Sequence, residues 1–81
     1  MSVELELLYF ASLREAAGVE RERVRTGAAD LAGLYAEADA RHGLGWPHAR
    51  LRVAVDGEFA RWSDAPREGS EVVFIPPVSG G

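Results

Sequence analysis

Val3, Leu5, Leu7 and Tyr9 alternate with Glu4, Glu6, Leu8 and Phe10 at the start of the chain. A period of two puts the first set on one face and the second on the other, which predicts a strand over residues 3–10. The second face turns from acidic to apolar along its length, so its far end is expected to be covered on both sides. Residues 11–17 predict a short helical turn stopped by Gly18, because glycine accepts the left-handed conformation that ends helices. Residues 20–26 alternate charge with little apolar content, the pattern of an exposed edge strand.

The pattern then changes period. Leu31, Leu34, Tyr35 and Ala38 recur at i, i+3, i+4 and i+7, one apolar stripe of a helix over residues 29–42. Asp30 suits the positive end of its dipole, Arg41 and His42 suit the negative end, and Gly43 follows as the stop. Glu37 and Arg41 are spaced as an i,i+4 ion pair in the favourable order. Leu51, Val53 and Val55 alternate again, predicting a third strand. Asp56-Gly57 is a two-residue hairpin turn, and residues 58–62 return as a short fourth strand. Residues 63–70, with Pro66 and Gly69, read as a loop. Glu71–Ile75 carries the unbroken apolar run Val72-Val73-Phe74-Ile75, as in a strand buried on both faces. Together these predict an α+β fold, one main helix packed on a sheet of four or five strands.

Composition narrows the chemistry. The chain has 81 residues, 47% hydrophobic and 27% charged, enough for one small domain. Cys, Lys, Asn and Gln do not occur in it. That excludes a disulfide framework, a thiolate nucleophile and a cysteine-ligated metal. A net charge of −4 argues against nucleic-acid binding, which draws its affinity from neutralised phosphates. No apolar run is long enough for a membrane span, and the acidic, alternating amino terminus is unlike a signal peptide, so a cytoplasmic location is expected.

The remaining segment, residues 76–81, is Pro-Pro-Val-Ser-Gly-Gly. Two prolines favour an extended polyproline conformation directly after a core strand. Six residues reach about 20 Å at roughly 3.3 Å each. The expected organisation is therefore a domain over residues 1–75 and a flexible tail over 76–81 whose tip, Gly80-Gly81, carries no side chain. Such a tip fits a channel too narrow for a Cβ and presents a terminal carboxylate. That carboxylate is inert until another enzyme activates it, for example as a mixed anhydride with AMP.

The stretch Glu71-Val72-Val73-Phe74-Ile75-Pro76-Pro77-Val78-Ser79-Gly80-Gly81 resembles the carboxyl end of the molybdopterin synthase small-subunit family of ubiquitin-like sulfur carriers. Tyr9-Phe10-Ala11-Ser12-Leu13-Arg14-Glu15-Ala16-Ala17-Gly18 is similar to that family's first strand and short helix. The Asp56-Gly57 hairpin and the Arg67-Glu68-Gly69-Ser70 turn fall in the family's order. The resemblance implies a β-grasp fold and a mechanism. An adenylating enzyme of the ubiquitin-activating type, using ATP, would convert Gly81 to an acyl-adenylate. A sulfur donor would replace AMP to leave a thiocarboxylate, and the large synthase subunit would pass that sulfur to cyclic pyranopterin monophosphate. Gly80 would give the tip access to both partners' channels. Phe10, Phe74, Ile75, Pro76, Pro77 and Val78 would serve the partner interface. No stably bound cofactor, metal, nucleic acid or membrane is implied. Carriers for thiamine or cysteine synthesis, and protein modifiers acting through Gly81, are the alternatives; a plain interaction domain with an inert tail is a third class.

Other candidates carry less. His42 and His48 are read as surface or capping residues rather than metal ligands. Glu4 and Glu6 are read as a solvated face. Arg21, Arg23 and Arg25 form a stripe that either faces an acidic partner or protects an edge strand. Gly43-Leu44-Gly45 lacks the third glycine of a phosphate-binding loop.

Overall fold

The computed structural model describes residues 1–77. In chain order these form β1 (Val3–Tyr9), α1 (Ala11–Ala17), β2 (Arg21–Thr26), α2 (Leu31–His42), a 3-10 turn (His48–Arg50), β3 (Arg52–Val55), β4 (Glu58–Ala60) and β5 (Glu71–Ile75). The strands make one mixed sheet in the order β2-β1-β5-β3-β4. β1 and β5 run parallel at its centre, and the other neighbours are antiparallel. The fold is α+β, a ubiquitin-like β-grasp, as expected.

Local chemistry explains each boundary. Gly18 and Gly43 close the two helices in the left-handed region, with φ of 77° and 65°. Asp30 caps α2 by accepting a 2.8 Å hydrogen bond from the Gly33 amide, so the helix begins two residues later than its periodicity suggests. Asp56 and Gly57 hold φ of 51° and 87°, the geometry of a tight hairpin between β3 and β4.

α2 covers one face of the sheet. Leu5, Leu7 and Tyr9 from β1, Val72 and Phe74 from β5 and Val53 from β3 meet Leu31, Leu34, Tyr35 and Ala38. Phe74 is the hub: its ring packs against Tyr9, Tyr35 and Trp62 at centroid distances of 6.3, 5.0 and 6.0 Å. Burying each such side chain stabilises the fold by about 1.5–3 kcal/mol.

Several expectations are corrected by this one-sided packing. β5 is not buried on both faces: Val72 and Phe74 are buried, while Glu71, Val73 and Ile75 are half-exposed. The far end of β1 is likewise open on its second face, where Leu8 is half-buried and Phe10 is 51% exposed. A single helix layer covers only one side of a sheet. The Glu37–Arg41 pair is replaced by tertiary partners. Glu37 accepts a 2.6 Å hydrogen bond from the Thr26 hydroxyl, and Arg41 pairs with Glu22 of β2 at 3.0 Å.

Candidate functional site at the end of the sheet

The chain leaves β5 between β1 and β3, so those two strands set what surrounds the exit. Register defines the open face. Leu8, Val73, Ala54 and Phe59 are consecutive cross-strand partners from β1 through β5 and β3 to β4. One step nearer the exit, Ile75 pairs with Arg52, and Phe10 follows the last paired residue of β1. Phe59 is 68% exposed and is, with Phe10, an aromatic ring that the fold leaves in solvent. Pro76 is half-buried and Pro77 is exposed. The result is an apolar band leading to the point where the chain departs, a surface of the kind that marks protein contacts.

The expected interface residues separate in the structure. Phe10 and Ile75 lie at the open end, and Pro76 and Pro77 lead out of it. Phe74 does not join them. It is completely buried on the face toward α2, so the expectation that it serves the partner interface beside Phe10 is corrected: alternate residues of a strand point to opposite faces. Val78, Gly80 and Gly81 lie outside the described residues. Phe59 was absent from the expected set although its signal is present in the sequence, as a large apolar residue at an outward position of a short edge strand.

Ala11 holds the chain just after Phe10 at φ 51°, a left-handed conformation that costs a non-glycine residue about 1–2 kcal/mol. The strain sits where β1 must turn sharply into α1, beside the exit.

The acidic and basic candidates neutralise each other away from the exit. Arg21 pairs with Glu6 at 3.1 Å, and Arg23 and Arg25 approach Glu4 at 3.7 and 4.0 Å. Both readings of these residues as solvated, edge-protecting charges agree with the geometry, since all three arginines keep more than half of their side-chain surface. His48 packs its ring against Trp62 at 5.1 Å.

His42 belongs to a cluster on the helix side. Glu22 of β2 accepts hydrogen bonds from the Tyr9 hydroxyl at 2.6 Å and from Arg41 at 3.0 Å, and lies 2.8 Å from His42 Nε2. Burial by itself raises the Glu22 carboxyl, but hydrogen bonds from Tyr9, His42 and Arg41 overcome it and hold the group down at about 2. Burial, followed by the bond to Glu22, pushes the Tyr9 hydroxyl well above the ordinary tyrosine range. This cluster ties β1, β2 and the end of α2 together. Sequence gave no signal for it, because its members are 13 to 20 positions apart.

An open groove of about 400 Å³ beside β4 is lined by Phe59, Glu58, Asp64 and Arg67 among others. No helix of the described residues is long and apolar enough to cross a membrane.

Residues 7–81 match the ThiS family. The chain is 36% identical to a molybdopterin synthase sulfur carrier subunit of Chlamydomonas reinhardtii, over 98% of this chain and 100% of that protein. It is 34% identical to the human protein of the same name, over 96% of this chain and 94% of that one. In structure it is similar to SAMP1, small archaeal modifier protein 1 of Haloferax volcanii, with a TM-score of 0.80 and 30% identity over 96% and 99% of the two chains.

Proposed function

The chain belongs to the ThiS family, and from that premise we propose that it is a sulfur carrier working with the large subunit of a molybdopterin synthase. The observation that carries this reading is identity of 33–36% with molybdopterin synthase sulfur carrier subunits over nearly the whole chain. The open apolar face leading to Pro76 and Pro77 supports it, because a carrier must be gripped so that its tail is aimed.

The chemistry belongs to Gly81. Its carboxylate, a poor electrophile, attacks the α-phosphorus of ATP in an adenylating partner. Pyrophosphate leaves and a glycyl-adenylate remains. A sulfur donor displaces AMP and leaves a thiocarboxylate, whose sulfur is given to cyclic pyranopterin monophosphate at the large subunit. Gly80 lets the tip enter channels that exclude a Cβ. ATP is thus consumed by the partner, with no cofactor held by this chain. Phe10, Ile75, Phe59 and the Pro76-Pro77 pair dock the carrier, while residues 1–75 act as the body and 76–81 as the arm.

Intact-mass measurement after incubation with an adenylating enzyme, ATP and a sulfur source tests this. The expected gain is the exchange of one oxygen for one sulfur, abolished by deleting Gly81; no gain, or one that survives the deletion, overturns it. Copurification with a thiazole or cysteine synthase in place of the large subunit would assign the carrier to those pathways instead.

A second reading is favoured by the likeness to SAMP1: a protein modifier joined through Gly81 to lysines of other proteins. The chain's own lack of lysine would keep such a modifier from linking to itself through side chains. Gly81-lysine adducts in digests of cell protein would support it.

A further inference from the structure

The nine arginines of the chain do not share one environment. Arg14, Arg21, Arg23, Arg25 and Arg41 are ion-paired with carboxylates of β1, β2 or the segment between them. Among the described residues Arg50, Arg52, Arg61 and Arg67 have no such pair; Arg67 stands apart from the others, in the loop before β5 and beside Val55 and Glu58 at the turn end of the β3–β4 ladder. Arg50, Arg52 and Arg61 are exposed and lie toward the other end of these strands, where β5 ends. Arg52 is the cross-strand partner of Ile75, the last residue of β5. Arg50 lies in the 3-10 turn that enters β3 at this end. Arg61 follows Ala60, the partner of Val53, so it reaches the same end of the β3–β4 ladder.

Two of these cations are held in place by aromatic rings. The Arg52 guanidinium lies 5.3 Å from the Phe59 ring centre, and that of Arg50 lies 5.4 Å from the Trp46 ring centre. Stacking of this kind leaves the guanidinium edge free to bind a carboxylate with two parallel hydrogen bonds. The opposite end of the same strands is acidic: Glu71 begins β5, and its amide is held by the Asp56 carboxylate of the β3–β4 turn. Down this part of the open face, then, carboxylates give way to the Val73, Ala54 and Phe59 band and then to arginines beside the exit.

We propose that Arg50, Arg52 and Arg61 form a cationic rim that docks against carboxylates surrounding the tail-accepting channel of the partner protein. This rests on the carrier reading above and adds the charge pattern by which the partner is approached. A chain with net charge −4 is repelled by an acidic partner in most orientations. A positive end concentrated at the exit makes the productive orientation the attractive one, which raises the association rate more than the final affinity. Three arginines on an acidic domain are too few for a polyanion such as nucleic acid, whose binding scales with the number of phosphates neutralised. The apolar band supplies the buried contact, and the rim sets its direction.

The test is the association rate with immobilised molybdopterin synthase large subunit, measured for the full chain across a range of sodium chloride concentrations. Arg52→Glu combined with Arg61→Glu is expected to slow association roughly tenfold or more at low salt and to flatten its salt dependence. Arg23→Glu, on the same face but away from the exit, is expected to stay within about twofold of the parent. Circular dichroism melts of each variant identify any loss of fold, in which case Arg52→Gln with Arg61→Gln takes its place, with a smaller slowing expected. Equal rates for the folded exit variant and the parent overturn the rim. If the parent itself does not bind the large subunit, the carrier reading fails, and the rim is judged by nuclear magnetic resonance titration with a glutamate-rich decapeptide. Amide shifts centred on Arg50, Arg52 and Arg61 then sustain it. Their absence, or the same shifts produced by ATP and not by the peptide, overturns it.

Discussion

A single carboxylate, Glu22, shows how much one residue of this chain depends on its neighbours. In the sequence it is one acidic position in an alternating charged strand, yet three donors from β1 and α2 surround it in the fold. Its carboxyl is lowered from 4.5 to about 2, so the unfolded chain takes up a proton before the folded one does. The stability it contributes is therefore complete above pH 4.5 and is lost as the pH falls from there toward 2. Glu22→Gln is expected to lower the melting temperature at pH 7 and to remove this part of the acid sensitivity, so that parent and variant converge on acidification. Thermal melts between neutral pH and pH 3 would show it, and parallel curves for the two proteins would contradict it.

At the scale of elements, the β3–β4 hairpin links two jobs. Its turn leaves Asp56 free to accept from the Glu71 amide at 2.9 Å while the Asp56 amide donates to the Glu71 carbonyl at 2.9 Å, fixing where β5 starts. The same hairpin carries Phe59 and aligns Arg52 beside Ile75. Gly57 at φ 87° has open space around a notional Cβ, so the only obstacle to alanine there is the backbone conformation. Gly57→Ala is expected to cost about 1–2 kcal/mol, with no loss of core packing. Chemical denaturation should show a lower midpoint at an unchanged slope; a changed slope would mean that the hairpin unfolds separately.

Taken whole, the molecule is a sheet with one dry face, under α2, and one open face. α2 and the aromatic hub around Phe74 make the dry face rigid, and the open face keeps an apolar band that a lone small domain would gain by burying. Phe59→Ser is expected to leave the melting temperature nearly unchanged, because the ring is 68% exposed, and to weaken capture of the large subunit by tenfold or more, as an exposed aromatic anchor would. Pull-down titrations beside a melt separate the two effects. Unchanged capture would remove Phe59 from the docking surface.

Most of the architecture can be read along the chain because strand and helix periods, caps and turns are local. The Leu31, Leu34, Tyr35, Ala38 stripe, the Gly18 and Gly43 stops, the Asp56-Gly57 turn and the span of β5 all follow from side chains within a few positions of each other. The Pro-Pro-Val-Ser-Gly-Gly sequence of the tail is equally local, and the chemistry proposed for Gly81 rests on it. The tertiary structure decided what depends on register and layering. One helix covers one face, and that alone turned Phe74 from a surface candidate into the centre of the core and left Val73 and Ile75 open. Partners 11 or more positions apart drew Glu22 to Tyr9 and Arg41 and took Glu37 from Arg41 to Thr26. Cross-strand pairing likewise placed Arg52 beside Ile75, within stacking distance of Phe59. Periodicity sets which side of a strand a residue faces; only packing sets whether that side meets protein or water.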